Sequence, residues 1–187
     1  MPLAAAAGRI LGADAVARED HPSHARSTMD GFTLASEGTS LRRRIVGEVS
    51  MGHAPLQTLA AGDTMRVPTG GALPFGADAV VAQEDVTLDD GAIVLGERVA
   101  AGDSVSQRGE DIAVGETVLA AGRRIGGPEL GVLATLGIAT VAVFRRPRVG
   151  IVSTGDELVD PGDVRAIGKI RDSNRYAIAG ALAAFGA

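Results

Sequence analysis

Glycine and proline constrain this chain most. It carries 26 Gly and 8 Pro in 187 residues, about 18% against a usual ~12%. A chain so punctuated turns often, and short strands suit it better than long helices. From about Phe32 to Val118 the sequence follows that grammar. Arg44–Val49, Thr64–Val67, Ala79–Ala82 and Ala92–Leu95 are short β-branched runs, each bounded by Gly, Pro or Asp. Their spacing predicts a small all-β unit, a barrel or a sandwich. Leu88-Asp89-Asp90-Gly91-Ala92 reads as a hairpin, because Gly takes the positive φ that a tight turn needs. Gly62-Asp63, Gly76-Ala77-Asp78 and Gly102-Asp103 mark further turns.

The ends of the chain read differently. Leu3–Leu11 is Ala-rich, enough for a helical turn or two but short for a stable helix. Gly127-Pro128-Glu129-Leu130 opens a helix, since Pro at the first helical position loses no bonded N–H. Leu130, Leu133 and Ala134 keep helical spacing, and Gly137 can close the helix. Val141–Phe144 reads as a strand, and Arg145-Arg146-Pro147-Arg148 as a hinge. Val149–Ser153 is a continuous apolar run of the kind found in buried parallel strands. Asp172-Ser173-Asn174 supplies N-cap residues for a helix carrying Ile178, Ala181, Leu182 and Phe185, which Gly186 stops. Strand, loop and helix in that order begin a doubly wound α/β domain. The 41 or so residues from Pro147 onward fall well short of the ~100 usual for one.

Composition excludes several functions. The net charge is −5 and the sequence pI about 5.2, which is wrong for general nucleic-acid binding. Five aromatics, four Phe and one Tyr, offer no stacking surface for single strands. Without Cys there is no thiolate nucleophile, disulfide or Cys-type zinc site. No apolar run approaches the ~20 residues of a membrane span, and Met1–Arg9 lacks a signal peptide's basic lead. A cytoplasmic protein is the expectation.

Four acidic positions draw attention: Asp30 in Ser27-Thr28-Met29-Asp30-Gly31, Glu110-Asp111 after Arg108-Gly109, Asp156-Glu157 after Thr154-Gly155, and Asp172 before Ser173-Asn174. Carboxylates and hydroxyls suit Mg2+, a hard cation; solvated turns use the same residues. Thr154–Glu157 follows a buried-strand run, where α/β sheets gather ligands, so its acids read either as metal ligands or as N-caps. Pro68-Thr69-Gly70-Gly71-Ala72-Leu73-Pro74 is a surface turn or an anion-facing loop. It lacks the Lys of a Walker loop. His21, His24 and His53 read as surface side chains. Arg42-Arg43-Arg44 reads as a solvated strand edge, with a phosphate contact as the other use.

Taken together these segments resemble the MoeA family, the molybdopterin molybdenumtransferases, also represented by the gephyrin E domain. The likeness rests on Ser27–Phe32, on Arg66–Pro74 with Gly76–Val81, and on Arg108–Ile112. Gly131–Gly137, Arg146–Leu158 and Asp172–Asn174 complete it. One segment departs from it: His21–Arg26 stands where the family usually has a Pro-Phe-Asp-Asn-type stretch.

The resemblance implies a fold of mixed α and β. In it a β-rich domain, 17–112, is inserted in an elongated linker domain, 1–16 and 113–146. The start of a doubly wound α/β pterin-binding domain follows at 147–187. It implies molybdenum cofactor biosynthesis: insertion of molybdate into adenylylated molybdopterin with release of AMP, assisted by Mg2+. Asp30, Thr69, Asp111 and Glu157 are then the catalytic positions. Thr154, Gly155, Asp156 and Ser173 bind the pterin, and Glu157 with Asp156 holds the metal. It further implies a homodimer, contact with the molybdopterin adenylyltransferase, and no nucleic-acid or membrane partner. A chain stopping at Ala187 is expected to be a fragment with little activity alone. A non-catalytic scaffold or dimerisation module of the same family is the alternative, and a generic β-barrel anion binder a third reading.

Overall fold

A computed structural model describes residues 1–186; Ala187, the last residue of the expected third segment, lies outside the described residues. The chain divides into two compact units, Met1–Ala142 and Val143–Ala187. The secondary structure is mostly β with two α-helices.

The first unit begins with a single 3-10 turn at Leu3–Ala5. The expected N-terminal helix goes no further, because Gly8 takes a φ of +73° and a helix cannot continue through it. The strands follow as β1 (Ala15–Val16), β2 (Arg26–Ser27), β3 (Gly31–Leu34), β4 (Arg42–Glu48), β5 (Asp63–Val67) and β6 (Ala79–Ala82). β7 (Val86–Asp89), β8 (Ala92–Leu95), β9 (Val105–Ser106) and β10 (Thr117–Leu119) come next. Six of them form one sheet in the order β6-β3-β5-β4-β8-β7. Every pairing in it is antiparallel except β4 with β5. The expected hairpin joins β7 to β8, with Asp90 and Gly91 both at positive φ, as a tight two-residue turn requires.

The central strand β3 is buried on both faces. Phe32, Leu34, Ala79, Val81, Ile93 and Leu95 form one apolar cluster. Val49, Leu59, Met65, Val67, Val80 and Val105 form another. The register explains the division: Phe32 faces Val81 and Leu34 faces Ala79, whereas Thr33 faces Val80 and Met65. Directly paired residues share a face and successive residues alternate. Hence β3 is buried along its whole length.

Arg42-Arg43-Arg44 does not lie on a sheet edge. β4 runs between β5 and β8, and Arg43 is only 4% exposed. Arg42 and Arg44 point outward to carboxylates, Asp89 at 3.0 Å and Asp63 at 3.0 Å. Alternation along the strand therefore buries the middle cation and leaves its two neighbours at the surface.

Outside the main sheet, the N-terminal segment runs antiparallel to a later one. Pro2 bridges Thr140, Ile10 bridges Arg124, β1 pairs with β10, and His21 bridges Ile112. β2 pairs with β9. Helix α1 (Gly127–Thr135) carries Pro at its start, as the sequence predicts, and Gly137 follows at a φ of +67°. Val141–Phe144 is not a strand. Only Thr140 and Val143 make single bridge contacts there, too few for a ladder.

In the second unit, β11 (Leu158–Val159) and β12 (Ile170–Arg171) pair in parallel. Helix α2 (Ser173–Phe185) is capped by Asp172 and closed by Gly186 at a φ of +89°, where the sequence places both. Val149–Ser153 forms no strand and is not buried, with Val152 84% exposed. A parallel strand needs laddered neighbours and helices over both faces, and no described residue of this unit pairs with it.

Candidate functional site

The sequence-predicted residues fall into three local groups, two in the first unit and one in the second. Asp30 and Thr69 meet directly. The Thr69 backbone N–H donates to Asp30 Oδ1 at 2.7 Å, and its hydroxyl donates to the same oxygen at 2.8 Å. These bonds hold the Asp30 carboxyl below its usual range, the backbone N–H contributing most and the hydroxyl next. One oxygen is thus fixed while the carboxylate stays at the surface.

Local sequence explains the geometry. Asp30 sits between β2 and β3, and the next residue must be Gly. A Cβ on Gly31 would lie 2.0 Å from the Val81 carbonyl oxygen, because β6 presses on the β3 backbone there. Across from it, the Gly-rich loop is stitched to the segment 25–30. Ser27 N–H donates to Gly71 O, Gly70 N–H to Ser27 O, Leu73 N–H to Ala25 O and Gly71 N–H to Pro68 O. With Thr69 N–H on Asp30, four amides of this loop are satisfied inside the protein. The loop therefore positions a carboxylate; it does not present those amides to an anion.

Asp111 lies in the second group. Its carboxylate is 3.6 Å from Arg26 Nη2 and 3.9 Å from His21 Nε2. Its own N–H donates to His21 O, and Gly109 N–H donates to Pro22 O. His21-Pro22 is a cis peptide bond. Nearby, Asp20 accepts from Val114 N–H at 2.8 Å and from Arg108 Nε at 2.6 Å. Those bonds lower its pKa, the backbone bond first. Strand β2 links this group to the first, because Arg26 pairs with Ser106 and bridges Ala72 while Ser27 holds the Gly-rich loop. Arg26 is a site residue that the sequence pattern did not single out; its place beside Asp111 comes from pairing between distant strands. His24 and His53 are exposed, as expected.

The third group lies in the second unit. Thr154, Glu157 and Ser173 line one open cavity of about 380 Å³, together with Ser153, Asp172 and Asn174. Asp172 is 7% exposed. The Ser153 hydroxyl and then the Arg175 N–H hold its pKa down. Gly155 takes a φ of +148°, a backbone conformation that favours glycine, and the Glu157 carboxylate folds back to 2.6 Å from where a Cβ there would lie. Asp156 does not line the cavity; its backbone carbonyl accepts from Lys169 Nζ. Ser153, Asp172 and Asn174 are cavity residues that the expected site omitted, although the N-cap signal already marked Asp172 and Asn174.

Two carboxylates and three hydroxyls are hard oxygen donors, the kind Mg2+ takes alongside waters and substrate phosphates. Among the described residues no three His, Cys, Asp or Glu side chains group into a metal cage. The donor set therefore fits a substrate-shared Mg2+ and does not fit a site closed entirely by protein.

The first unit is thus mostly β with a Thr-held surface carboxylate, and the second has a parallel pair and a capped helix beside an acid- and hydroxyl-lined cavity. Comparison with known proteins shows the family. A family model described as the MoeA N-terminal region (domain I and II) matches residues 1–137, and the chain belongs to the MoeA family. A molybdopterin molybdenumtransferase from Haemophilus influenzae is 36% identical over 176 residues, covering 92% of this chain and 44% of its own length. One from a Nostoc species is 33% identical, covering 94% and 42%. The crystal structure of a molybdopterin biosynthesis MoeA protein from Pyrococcus horikoshii superposes on the whole chain with a TM-score of 0.93. It is 34% identical, and the match covers 49% of that structure. The chain spans less than half the length of these curated relatives.

Proposed function

We propose that this chain works in molybdenum cofactor biosynthesis, in the insertion of molybdate into adenylylated molybdopterin with release of AMP. The meeting of Asp30 with Thr69 carries the reading. These residues come from two separate motifs of the family, and the fold joins them at 2.7 and 2.8 Å. A carboxylate fixed by two donors on one oxygen offers the other in a set direction, which is what positioning catalysis needs.

Glu157 with the Thr154 and Ser173 hydroxyls binds the phosphorylated pterin side, and Glu157, with Asp156 as the second acid, holds Mg2+. Mg2+, when bound, offsets charge at the phosphoryl bond between anionic groups. Asp172 orients Ser153 and caps α2, whose N-terminal end favours anions. Asp111 pairs with the Arg26 guanidinium, and the Arg26 backbone bridges Ala72 of the Gly-rich loop. The pairing of residues 2–21 with residues 112–140 supports a linker domain of 1–16 and 113–146 with 17–112 inserted, and 147–187 belongs to the pterin-binding domain. The full site belongs to a cytoplasmic homodimer that receives its substrate from the molybdopterin adenylyltransferase.

The test is a titration of the chain with adenylylated molybdopterin, with and without Mg2+, alongside chromatographic measurement of AMP release on adding molybdate. Mg2+-dependent binding that Glu157→Gln abolishes is the expected outcome, with slow turnover for the isolated chain. Binding indifferent to Mg2+ and to both Glu157→Gln and Asp30→Asn overturns the proposal.

A further inference from the structure

Of the three exposed arginines on the main sheet, two face carboxylates. Arg42 meets Asp89 and Arg44 meets Asp63, each at 3.0 Å. Arg66 makes no ion pair among the described residues. Glu48, its rung partner on β4, is exposed as well and stands apart from it. What holds Arg66 is Phe32. The guanidinium carbon lies 5.1 Å from the centre of that ring, and Phe32 is only 1% exposed. A cation–π contact of this kind steadies the charge and leaves the five N–H donors without an acceptor.

The register places that charge. Arg66 pairs with Phe32, and Val67 with Gly31, so the guanidinium reaches from β5 onto β3. Asp30 immediately precedes β3, two residues from Phe32, which is about 7 Å along an extended chain. Thr69 lies three residues beyond Arg66. The cation and the Asp30–Thr69 pair thus stand at the same end of two neighbouring strands, all three exposed.

We propose that Arg66 binds a tetrahedral oxyanion of the substrate beside Asp30, either a phosphate group or molybdate. The identity of the anion rests on the reaction proposed above; the site rests on the register and the ring contact. A guanidinium presents paired donors that match two oxygens of one oxyanion. Stacked on Phe32, it is ordered before the ligand arrives, so less freedom is lost on binding. Its charge also offsets the repulsion that an anion meets from the Asp30 carboxylate. The Gly-rich loop cannot do this with the four amides that it has already bonded internally.

The test is an NMR titration of the whole chain at low ionic strength with sodium molybdate, sodium phosphate and AMP, each separately. The parent is compared with Arg66→Gln, Arg66→Lys and the surface control Arg42→Gln. At least one anion is expected to shift the Arg66 side-chain and Thr69 amide signals saturably. Arg66→Gln is expected to weaken that binding about tenfold, the loss of one charge-assisted hydrogen bond. Arg66→Lys, a point charge without the fork, falls between, and Arg42→Gln leaves the affinity unchanged. Weakening confined to molybdate assigns Arg66 to the metal oxyanion; weakening confined to phosphate and AMP assigns it to the phosphoryl group. No saturable shift with any of the three, equal affinity in Arg66→Gln, or an equal loss in Arg42→Gln overturns the inference. Adenylylated molybdopterin binding that needs Mg2+ and Glu157 but ignores Arg66→Gln overturns this inference alone. Oxyanion binding lost in Arg66→Gln, with pterin binding indifferent to Mg2+, Glu157→Gln and Asp30→Asn, supports the site and overturns the reaction.

Discussion

Gly31→Ala is the sharpest perturbation that the fold offers. The added Cβ would sit 2.0 Å from the Val81 carbonyl oxygen and 3.2 Å from Val80 Cγ1, where 3.4 Å begins ordinary contact. The nearer atom is backbone in the middle of a ladder, so no side chain can swing aside. β6 must retreat by about 1.4 Å from β3, along a register that pairs Gly31 with Ala82 and Phe32 with Val81. Overpacking of this kind costs about 1–3 kcal/mol. Each ladder hydrogen bond lost adds roughly 1 kcal/mol. A total of about 2–4 kcal/mol follows, which lowers the melting temperature on the order of 5–15 °C for a unit of this size. The control is Gly62→Ala, where the added Cβ meets nothing within 4 Å; it is expected within ±0.5 kcal/mol of the parent. Thermal melts followed by far-UV circular dichroism compare the three proteins. A Gly31→Ala melt within about 2 °C of the parent would refute the argument, because it would mean that β6 does not press on β3 at this residue.

Three further outcomes are expected. Thr69→Val removes one of the two donors on Asp30 Oδ1 and raises the Asp30 pKa towards its ordinary value, as a carboxyl NMR titration can read; an unmoved titration contradicts the geometry. Asp20, Asp30, Glu129 and Asp172 all have pKa values lowered by hydrogen bonds. Their contribution is complete above the ordinary carboxylate range and is lost as pH falls through and below it, so acid melts should steepen there and Thr69→Val should soften that fall. Glu129 takes Arg123 on one oxygen and the Gly126 N–H on the other. Glu129→Ala is therefore expected to lower the melting temperature more than Glu129→Gln, which keeps an oxygen for the Gly126 N–H; equal melts would show that this cap contributes nothing.

What was legible in the sequence depended on how far apart the partners lie. The hairpin at Asp90-Gly91, helix α1 behind Pro128 and helix α2 between Asp172 and Gly186 are set by residues within a few positions of one another, and their signals were plain. The four β-branched runs were legible because a strand buried on alternating faces leaves its trace in its own residues. Strand order is another matter. Nothing local tells that β4 runs parallel to β5 and inside the sheet, so three consecutive arginines look like an exposed edge although the middle one is buried. Val149–Ser153 failed in the opposite way: its apolar run states what a strand there would need, and the described residues beside it supply no ladder.

The Gly-rich loop at 68–74 shows why site residues are harder to read than folds. Its composition fits an anion cradle as well as a turn, and the two differ only in where the amides point. The fold settles that through residues about forty positions away: Ser27, Ala25 and Asp30 take up the amides of Gly70, Leu73 and Thr69. A loop whose donors are spent internally cannot bind a phosphate through them, but it can hold a carboxylate still. Asp30 is thus fixed from two directions, by Thr69 across the loop and by Gly31, which lets β3 close against β6. Substitutions at Thr69 and Gly31 should therefore disturb the same carboxylate by different routes, one electrostatic and one steric. The double variant separates them: the pKa of Asp30 should follow residue 69, and the melting temperature should follow residue 31.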